Sequence, residues 1–181
     1  MALELRREPF DGATATRLVA DLTADLTRRY ADDDEPPPCS LPPAEQAARR
    51  AVEAEEEAAY AAELAPADVA PPNGAFLVAY LGGAAVGGGG VRRHEGDVGE
   101  IKRLWVDPAA RGRGVARALV AQLEEEARWL GYRAVVLETG LRQPEAIRLY
   151  ESLGYGRRPP YGRYGSSPLS VCLGRDLGAA R

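Results

Sequence analysis

The chain of 181 residues is 45% hydrophobic and 28% charged, with a formal net charge of −4 at pH 7. This length and composition predict one globular domain with a sizeable core, and the negative charge argues against nucleic acid as the main partner. One histidine and two distant cysteines exclude a Cys/His zinc cluster and argue against a histidine-dependent catalytic triad.

The first 73 residues predict a short strand, two helices and a loop between the helices. Residues 3–10 form the strand. Residues 12–30 form a helix, because leucines recur along it at every fourth position, at Leu18, Leu22 and Leu26. Prolines exclude helix and strand interiors from residues 32–43. Residues 44–64 are rich in alanine and glutamate with few large apolar side chains, so this second helix should pack thinly.

The middle of the chain predicts three strands in succession. Residues 74–83 and 84–96 should pair as a hairpin, since a pair of glycines suits the tight turn between them. A run of four glycines inside the second strand weakens it and indicates a bulge or a close approach of another backbone. The third strand, residues 99–106, ends at an Asp-Pro turn.

The last third of the chain predicts helix, strand and helix, followed by two short strands. Residues 112–131 are amphipathic, and residues 134–139 are an apolar run typical of an interior strand. Residues 143–153 form a helix that a glycine ends, and residues 155–176 supply the two strands. The complete order, β-α-α-β-β-β-α-β-α-β-β, predicts an α/β fold with a mixed sheet.

A basic, glycine-rich turn opens the 112–131 helix and has the sequence RGRGVAR. Gly112 and Gly114 allow a tight turn, after which the N–H groups of the first helical turn and the helix dipole form an anion site. Arg111, Arg113 and Arg117 add charge suited to a diphosphate. A glycine-rich loop with solvated arginines is the alternative. The motif GxxxxGK[ST] is absent, and GxGxxG would need glycine where Arg117 stands.

Two motifs carry a resemblance to a known family. Arg111-x-x-Gly114-x-Ala116 matches the pattern [QR]xxGx[GA], and the later segment QPEAIRLYESLGY matches NxxAxxLYxxxGF. In the second motif Gln143 replaces the usual Asn and Tyr155 replaces the usual Phe. On these motifs, in this order of elements, the chain resembles the GNAT superfamily of acyl-CoA-dependent N-acetyltransferases.

The resemblance is strongest over residues 99–155 and implies an architecture for the whole chain. It implies a single GNAT domain over residues 1–181, with a mixed central sheet splayed between the fourth and fifth strands. Residues 1–73 would form the acceptor-side helices and loop, residues 74–155 the acetyl-CoA-binding core, and residues 156–181 a C-terminal hairpin.

The resemblance also implies a set of residues that bind acetyl-CoA. The turn would hold the pyrophosphate through Arg111, Gly112, Arg113, Gly114, Val115, Ala116 and Arg117. The pantetheine arm would bond to the main chain of Leu104, Trp105 and Val106 as an added strand does, and Gln143 would contact the same arm. The backbone N–H of Leu104 or Val106 would be the oxyanion donor. No metal is implied.

Glu100 is the candidate general base. It precedes Arg111 by 11 residues, which is the offset of the catalytic glutamate in the histone-acetylating branch of the family. Period-two alternation predicts one strand face made of Glu100, Lys102, Leu104 and Val106. A partly buried carboxylate there could act as a base near neutral pH, directly or through water. The alternative is that Glu100 pairs with Lys102 or Arg103 and only shapes the site.

Tyr150 is the candidate general acid, since it matches the family tyrosine whose hydroxyl approaches the acetyl-CoA sulfur. Its alternative role is that of a core aromatic side chain on the helix. Direct attack by the amine on acetyl-CoA requires no nucleophilic cysteine, and Cys39 falls in the proline-rich loop.

The acceptor is expected to meet the loop around residues 30–43 and the hairpin near residues 159–168. The acidic residues 32–35 either attract a cationic amine or form a solvated loop. Tyr161 and Tyr164 either face the acceptor or brace the hairpin, and His94 is expected to be an exposed residue at a strand end.

The function expected from the resemblance is acetyl transfer from acetyl-CoA to a primary amine of a small molecule or peptide. A non-catalytic acyl-CoA-binding or regulatory module is the alternative. We expect no nucleic-acid or membrane partner, and a homodimer would be common for the family. No apolar run reaches the length of about 18 residues that spans a membrane, and the N-terminus lacks the apolar core of a signal peptide. The expected location is therefore the cytoplasm.

Overall fold

The computed structural model describes residues 2–31 and 42–178. In chain order, these residues form β1 Leu3–Arg7, α1 Ala13–Tyr30, α2 Pro43–Ala62, β2 Gly74–Leu81, β3 Ala84–Glu95, β4 Val98–Val106, α3 Val115–Trp129, β5 Ala134–Gly140, α4 Pro144–Ser152, β6 Gly156–Arg157 and β7 Ser170–Asp176. The order predicted from the sequence is confirmed. The acidic residues 32–35 and Cys39 lie outside the described residues.

The strands form one mixed sheet in the order β1-β2-β3-β4-β5-β7-β6. Among the described strands, only the β4–β5 pair is parallel, and its register runs from Val98 opposite Ala134 to Ile101 opposite Leu137. Beyond this point the two strands part, although β4 continues to Val106. The predicted splay between the fourth and fifth strands is thus confirmed, and it leaves one edge of β4 without a β5 partner.

The glycine run of β3 produces the predicted bulge. Gly88 pairs with Trp105 and Gly90 pairs with Lys102, so Gly89 alone lies opposite two residues of β4. One of those two residues, Arg103, has a left-handed φ of 56°. A Cβ atom added at Gly89 would lie 2.9 Å from the end of the Leu104 side chain and 3.3 Å from the Leu104 Cα atom, so a side chain there would require Leu104 to move.

The bulge makes the predicted alternation along β4 wrong. Glu100 and Lys102 do share a face, because Lys102 Nζ lies 3.6 Å from Glu100 and also pairs with Glu63, which follows α2 (2.6 Å). Leu104 and Val106 instead join the core cluster on the opposite face, beneath α3. The left-handed backbone at Arg103 reverses the alternation between the two pairs. The charged start of β4 and its apolar end therefore face opposite sides of the sheet.

Apolar side chains bury both faces of the sheet. The larger cluster packs beneath α3, where Leu119 and Leu123 are fully buried. The smaller cluster packs beneath α1 and includes Leu18 and Phe76. As predicted, α2 packs thinly, since the side chains described over its first four turns are exposed apart from half-buried Gln46. Among the described helices, none has the length and apolar character needed to cross a membrane.

Candidate active site

A cavity of about 360 Å³ opens where β4 and β5 part, between α1, the start of α3 and α4. Most of the predicted cofactor residues line it, namely Leu104, Trp105, Val106, Arg111, Gly112, Gly114, Val115, Ala116, Arg117 and Gln143. Arg113, Tyr150 and Glu100 are not among the residues that line this cavity. The structure therefore brings the two sequence motifs together around one cleft and sets Glu100 apart from it.

The start of α3 forms a cradle of backbone N–H groups at one end of this cavity. Gly112 and Gly114 have φ angles of 73° and 80°, in the left-handed region that favours glycine. An added Cβ would meet nothing within 4 Å at either position, so backbone conformation rather than space requires glycine. The first backbone hydrogen bond of α3 runs from Ala118 to Gly114 (3.0 Å). The preceding N–H groups remain available for an anion.

The three arginines of the turn have different surroundings. The Arg111 guanidinium faces inward, where it donates to the Val106 carbonyl (2.9 Å) and to Asp25 (2.8 Å). Arg117 donates to the Ser152 hydroxyl (2.8 Å). Because a hydroxyl is neutral, this contact does not compensate the charge of Arg117. Arg113 is exposed. Charge for a bound diphosphate can thus come from Arg113 and Arg117, whereas the Arg111 side chain fixes the end of β4.

Asp25 and Arg29 of α1 belong to the cavity wall and were missed from the sequence. Asp25 also accepts hydrogen bonds from Trp105 Nε1 (3.3 Å) and pairs with Arg29 Nε (3.3 Å). Burial pushes the pKa of Asp25 upward, but the hydrogen bonds from Arg111 and Trp105 outweigh burial and leave the pKa below its ordinary value. The available signal was the position of both charges on the apolar stripe of α1, next to Leu22 and Leu26.

The end of α1 closes over the β5–α4 connection. Arg29 pairs with Glu145 in the first turn of α4 (2.6 Å). Arg142 donates to the carbonyls of Arg29 (3.1 Å) and Ala31 (3.0 Å). A Cβ added at Gly140 would lie 1.5 Å from the Tyr30 hydroxyl, so this ring packs directly on the β5 backbone. These contacts join the two walls of the cavity.

Tyr150 lies on α4 with 5% of its surface exposed. Its ring contacts that of Tyr155 at a centroid distance of 5.5 Å. Burial raises the pKa of the Tyr150 hydroxyl far above its ordinary value, so the group stays protonated at neutral pH. A proton donor must be protonated, but a raised pKa also makes the hydroxyl a weaker acid, and the burial matches the alternative of a core aromatic residue equally well.

Glu100 lies on the opposite face of the sheet from α3, with 1% of its surface exposed. Arg92 donates to its Oε2 atom from Nε (2.9 Å) and from Nη2 (2.7 Å). Its Oε1 atom accepts from the Tyr161 hydroxyl (3.1 Å) and lies 3.6 Å from Lys102 Nζ. The main partner is therefore Arg92, where the sequence had suggested Lys102 or Arg103.

A second carboxylate, Glu63, lies beside this group. It pairs with Lys102 (2.6 Å) and accepts from the Tyr164 hydroxyl (2.8 Å), and Arg103 lies 3.3 Å from its other oxygen. Burial raises the pKa of Tyr164, as does its hydrogen bond to Glu63.

Tyr161 and Tyr164 both reach from the segment before β7 to the charged face of β4. Burial raises the pKa of Tyr161, and the charge of Glu100 raises it further. The two rings meet edge to face at 5.7 Å, and His94, which is exposed as predicted, contacts the Tyr161 ring at 4.7 Å. The tyrosines thus brace this segment against the sheet, and their hydroxyl groups also border a face rich in buried charge.

Comparison with known proteins gives relatives over most of the chain. A sequence profile of the acetyltransferase (GNAT) family matches residues 28–155. An IAA acetyltransferase of Azospirillum brasilense is 43% identical over 110 residues, which are 60% of this chain and 72% of that protein. The N-acetylaspartate synthetase of Homo sapiens is 38% identical over 108 residues, which are 59% of this chain but only 36% of the synthetase.

Solved structures share the fold over nearly the whole chain. A Klebsiella pneumoniae protein, provisionally called an acyl-CoA N-acyltransferase, has a TM-score of 0.70 at 26% identity, covering 97% of each chain. The PaiA N-acetyltransferase of Thermoplasma acidophilum, solved in complex with coenzyme A, has a TM-score of 0.70 at 12% identity, covering 97% of this chain and 99% of that one. The second likeness concerns the fold alone.

Proposed function

Because the chain belongs to the acetyltransferase (GNAT) family and is an acyltransferase, we propose that it transfers the acetyl group of acetyl-CoA to a primary amine. The observation that carries this proposal is the N–H cradle of α3, which opens onto the cavity between β4 and β5. The proposed acceptor is a small molecule or a peptide. The names of the relatives support acetylation, and the synthetase name points to an amino acid as one acceptor to try.

The cofactor residues that we propose follow the shape of the cavity. The cradle of residues 111–117 would hold the pyrophosphate, with the guanidinium groups of Arg113 and Arg117 outside it. The unpaired edge of β4 at residues 104–106 would bond to the pantetheine arm as an added strand does. Gln143, at the start of α4, would contact the same arm from the other wall. Acetyl-CoA supplies the activated acyl group.

The proposed division of the chain assigns residues 1–73 to the acceptor side, residues 74–155 to the acetyl-CoA core and residues 156–181 to the C-terminal hairpin. Helix α1 would also contribute to the cofactor side, because Asp25 and Arg29 line the cavity. The charged face near Glu100 lies under the segment before β7, which agrees with an acceptor side formed by both ends of the chain.

Acyl transfer to an amine makes three demands on the protein. The acceptor is an ammonium ion at neutral pH and must lose a proton before it can attack. The oxygen of the tetrahedral intermediate needs a donor, for which we propose the backbone N–H of Leu104 or Val106. The departing sulfur needs a proton, for which we propose Tyr150. For removal of the ammonium proton, the sequence predicts Glu100.

The test is release of free thiol from acetyl-CoA by the purified protein in the presence of a panel of amines. The panel contains amino acids including aspartate, polyamines and a peptide with a free N-terminus. We expect thiol release with at least one of these amines and none without an amine. A chain that binds acetyl-CoA but acetylates no amine in the panel would contradict the proposal and favour a non-catalytic acyl-CoA-binding module.

The role of Tyr150 is tested in the same assay with Tyr150→Phe. We expect kcat to fall about 100-fold, the usual scale of general acid catalysis, with little change in the acetyl-CoA KM. Tyr155→Phe is the matched control, because its ring contacts Tyr150 but its hydroxyl bonds to Glu124 (3.0 Å). Equal kcat values for Tyr150→Phe and the wild type at saturating acetyl-CoA would remove the proposed role.

A further inference from the structure

The end of β4 has no strand beside it on the cleft side. The parallel pairing with β5 stops at Ile101, whereas β4 continues to Val106. On the other edge, the last two residues of β4 pair with Gly87 and Gly88 of β3, and glycine has more backbone freedom than any other residue. Contacts from outside the sheet are therefore needed to fix the position of this edge.

The backbone of Val106 points toward the cleft. Val106 lies opposite Gly87, and the next residue, Asp107, donates its N–H to the Val86 carbonyl (2.8 Å). In an antiparallel pair this pattern marks a non-hydrogen-bonded position, so the N–H and the carbonyl of Val106 both point away from β3. Arg111 Nε donates to the carbonyl (2.9 Å). The N–H lies on the edge to which an added strand, or a pantetheine arm, would bond.

Asp25 of α1 holds the Arg111 side chain in this place. Its Oδ2 atom accepts from Arg111 Nη2 (2.8 Å) and from Trp105 Nε1 (3.3 Å), and lies 3.3 Å from Arg29 Nε. Its Oδ1 atom lies 3.4 Å from Arg28 Nη2. Asp25 lines the cavity, and its side chain is 13% exposed. One carboxylate thus contacts the Trp105 side chain directly and reaches the next residue of β4 through Arg111.

The charge of Asp25 decides which anion the Arg111 guanidinium faces. A diphosphate in the cradle of α3 would attract a nearby guanidinium. Burial raises the pKa of Asp25, but hydrogen bonds from Arg111 and Trp105 bring the pKa below its ordinary value, so the carboxylate is charged at neutral pH. Arg111 is therefore paired with an anion of the protein, whereas Arg113 is exposed and Arg117 donates to a neutral hydroxyl.

We propose that Asp25 is a positioning residue for the pantetheine arm: through Arg111, it holds the end of β4 where the N–H of Val106 bonds to the arm. This proposal rests on the proposed function, because it assigns a role within the same acetyl-CoA site. Asp25 touches neither the diphosphate nor the reacting atoms. Its replacement should weaken binding of the arm without weakening binding of the diphosphate.

The experiment compares two fragments of acetyl-CoA. S-acetylpantetheine has the arm and the thioester without the diphosphate, and 3′-phosphoadenosine 5′-diphosphate has the diphosphate without the arm. The Kd of each fragment and of acetyl-CoA is measured by calorimetry without an amine. The thermal midpoint of each variant sets a temperature at which all of them are folded.

The variants are Asp25→Asn, Arg111→Met and the double variant. Arg111→Met removes the guanidinium and keeps the backbone N–H of the cradle. Asp21→Asn is the control, because Asp21 lies on α1 with a side chain 43% exposed and does not line the cavity.

We expect Asp25→Asn to raise the Kd of acetyl-CoA and of S-acetylpantetheine about 10-fold, the scale of one hydrogen bond to a charged group. The Kd of 3′-phosphoadenosine 5′-diphosphate should not rise. Arg111→Met should have the same effect, and the double variant should bind no more weakly than Arg111→Met alone, since Asp25 acts through Arg111. Asp21→Asn should match the wild type. A general loss of stability would lower the thermal midpoint without separating the two fragments.

The proposal is overturned if Asp25→Asn binds S-acetylpantetheine as tightly as the wild type does, or if it binds both fragments equally more weakly. Additive losses in the double variant would also overturn it, because Asp25 would then not act through Arg111. A wild type that binds neither acetyl-CoA nor S-acetylpantetheine lacks the arm site altogether and overturns the proposal as well. Failure of the proposed function has a different signature, namely a wild type that binds acetyl-CoA but releases no thiol with any amine.

Discussion

Replacement of Asp25 by asparagine removes one negative charge from the wall of the cavity between β4 and β5 while keeping the shape of the side chain. Asp25 is 13% exposed and contacts Arg111, Trp105 and Arg29 at 2.8, 3.3 and 3.3 Å. These partners belong to the α3 turn, to β4 and to α1. One carboxylate therefore joins three elements around the cavity, and the amide of asparagine would keep only part of this network.

The stability that Asp25→Asn is expected to lose lies between the contributions of buried and of exposed charged groups. Hydrogen bonds to charged groups contribute about 1.5–3 kcal/mol when buried, and exposed ion pairs contribute about 0.2–1 kcal/mol. The Arg29 and Arg111 side chains are 21% and 34% exposed, so solvent screens part of the interaction. We expect Asp25→Asn to lower the free energy of unfolding by about 1.5 kcal/mol at neutral pH.

The difference between the wild type and Asp25→Asn should also depend on pH. The pKa of Asp25 is lowered in the folded protein, so the stabilisation is fully present above the unfolded-state pKa of about 3.9. It is lost as the pH falls through the folded-state pKa, because protonation removes the charge. The free energies of unfolding of the two proteins should therefore differ most near neutral pH, and this difference should shrink as the pH falls below about 4.

Urea unfolding of both proteins at several pH values measures this difference. Asp21→Asn is the matched control, since Asp21 lies one turn earlier on α1, is 43% exposed and pairs with Arg17 at 3.0 Å. We expect the control to change stability by less than about 0.5 kcal/mol. The reasoning is refuted if Asp25→Asn and Asp21→Asn are equally stable at neutral pH, or if the Asp25→Asn deficit persists in acid.

Two further substitutions test buried contacts on either side of the splay. Arg92→Met should lower the free energy of unfolding by about 3 kcal/mol, because it removes both hydrogen bonds that Arg92 donates to Oε2 of buried Glu100. An equal loss in the exposed control Arg93→Met would contradict this. Gly140→Ala should cost about 2 kcal/mol, because the new methyl group meets the Tyr30 hydroxyl. Thermal or urea unfolding should show a smaller cost in a Tyr30→Ala background, and an unchanged cost there would refute the contact.

The elements of the fold follow from local signals in the sequence. The turn between β2 and β3 was predicted from Gly82 and Gly83, whose φ angles are 62° and 87°, as a two-residue hairpin turn requires. The cradle was predicted from Gly112 and Gly114 for the same reason, because a left-handed backbone selects glycine. Conformations that only glycine adopts readily can be predicted from single positions, without knowledge of tertiary contacts.

The path of β4 could not be predicted in this way, because its left-handed residue is an arginine. Contacts distant in sequence hold Arg103 there: its guanidinium lies 3.3 Å from the centre of the Tyr60 ring, and it also bonds to the Tyr60 carbonyl and to Glu63. A single sequence does not show such partners. Asp25 was missed for a related reason, since its role depends on Arg111 and Trp105 from elsewhere in the chain.

The bulge at Arg103 separates the charged start of β4 from its apolar end. Before it, β4 places Glu100 and Lys102 on the face that carries the buried charges. After it, Leu104 and Val106 pack against the core beneath α3, and the same two residues also line the cleft. The sequence signal for this arrangement lay on the neighbouring strand, where Gly89 leaves the space that the extra residue of β4 needs. The glycine run of β3 therefore shapes the path of β4 beside the cleft, although it was not among the residues to which the sequence motifs gave a role.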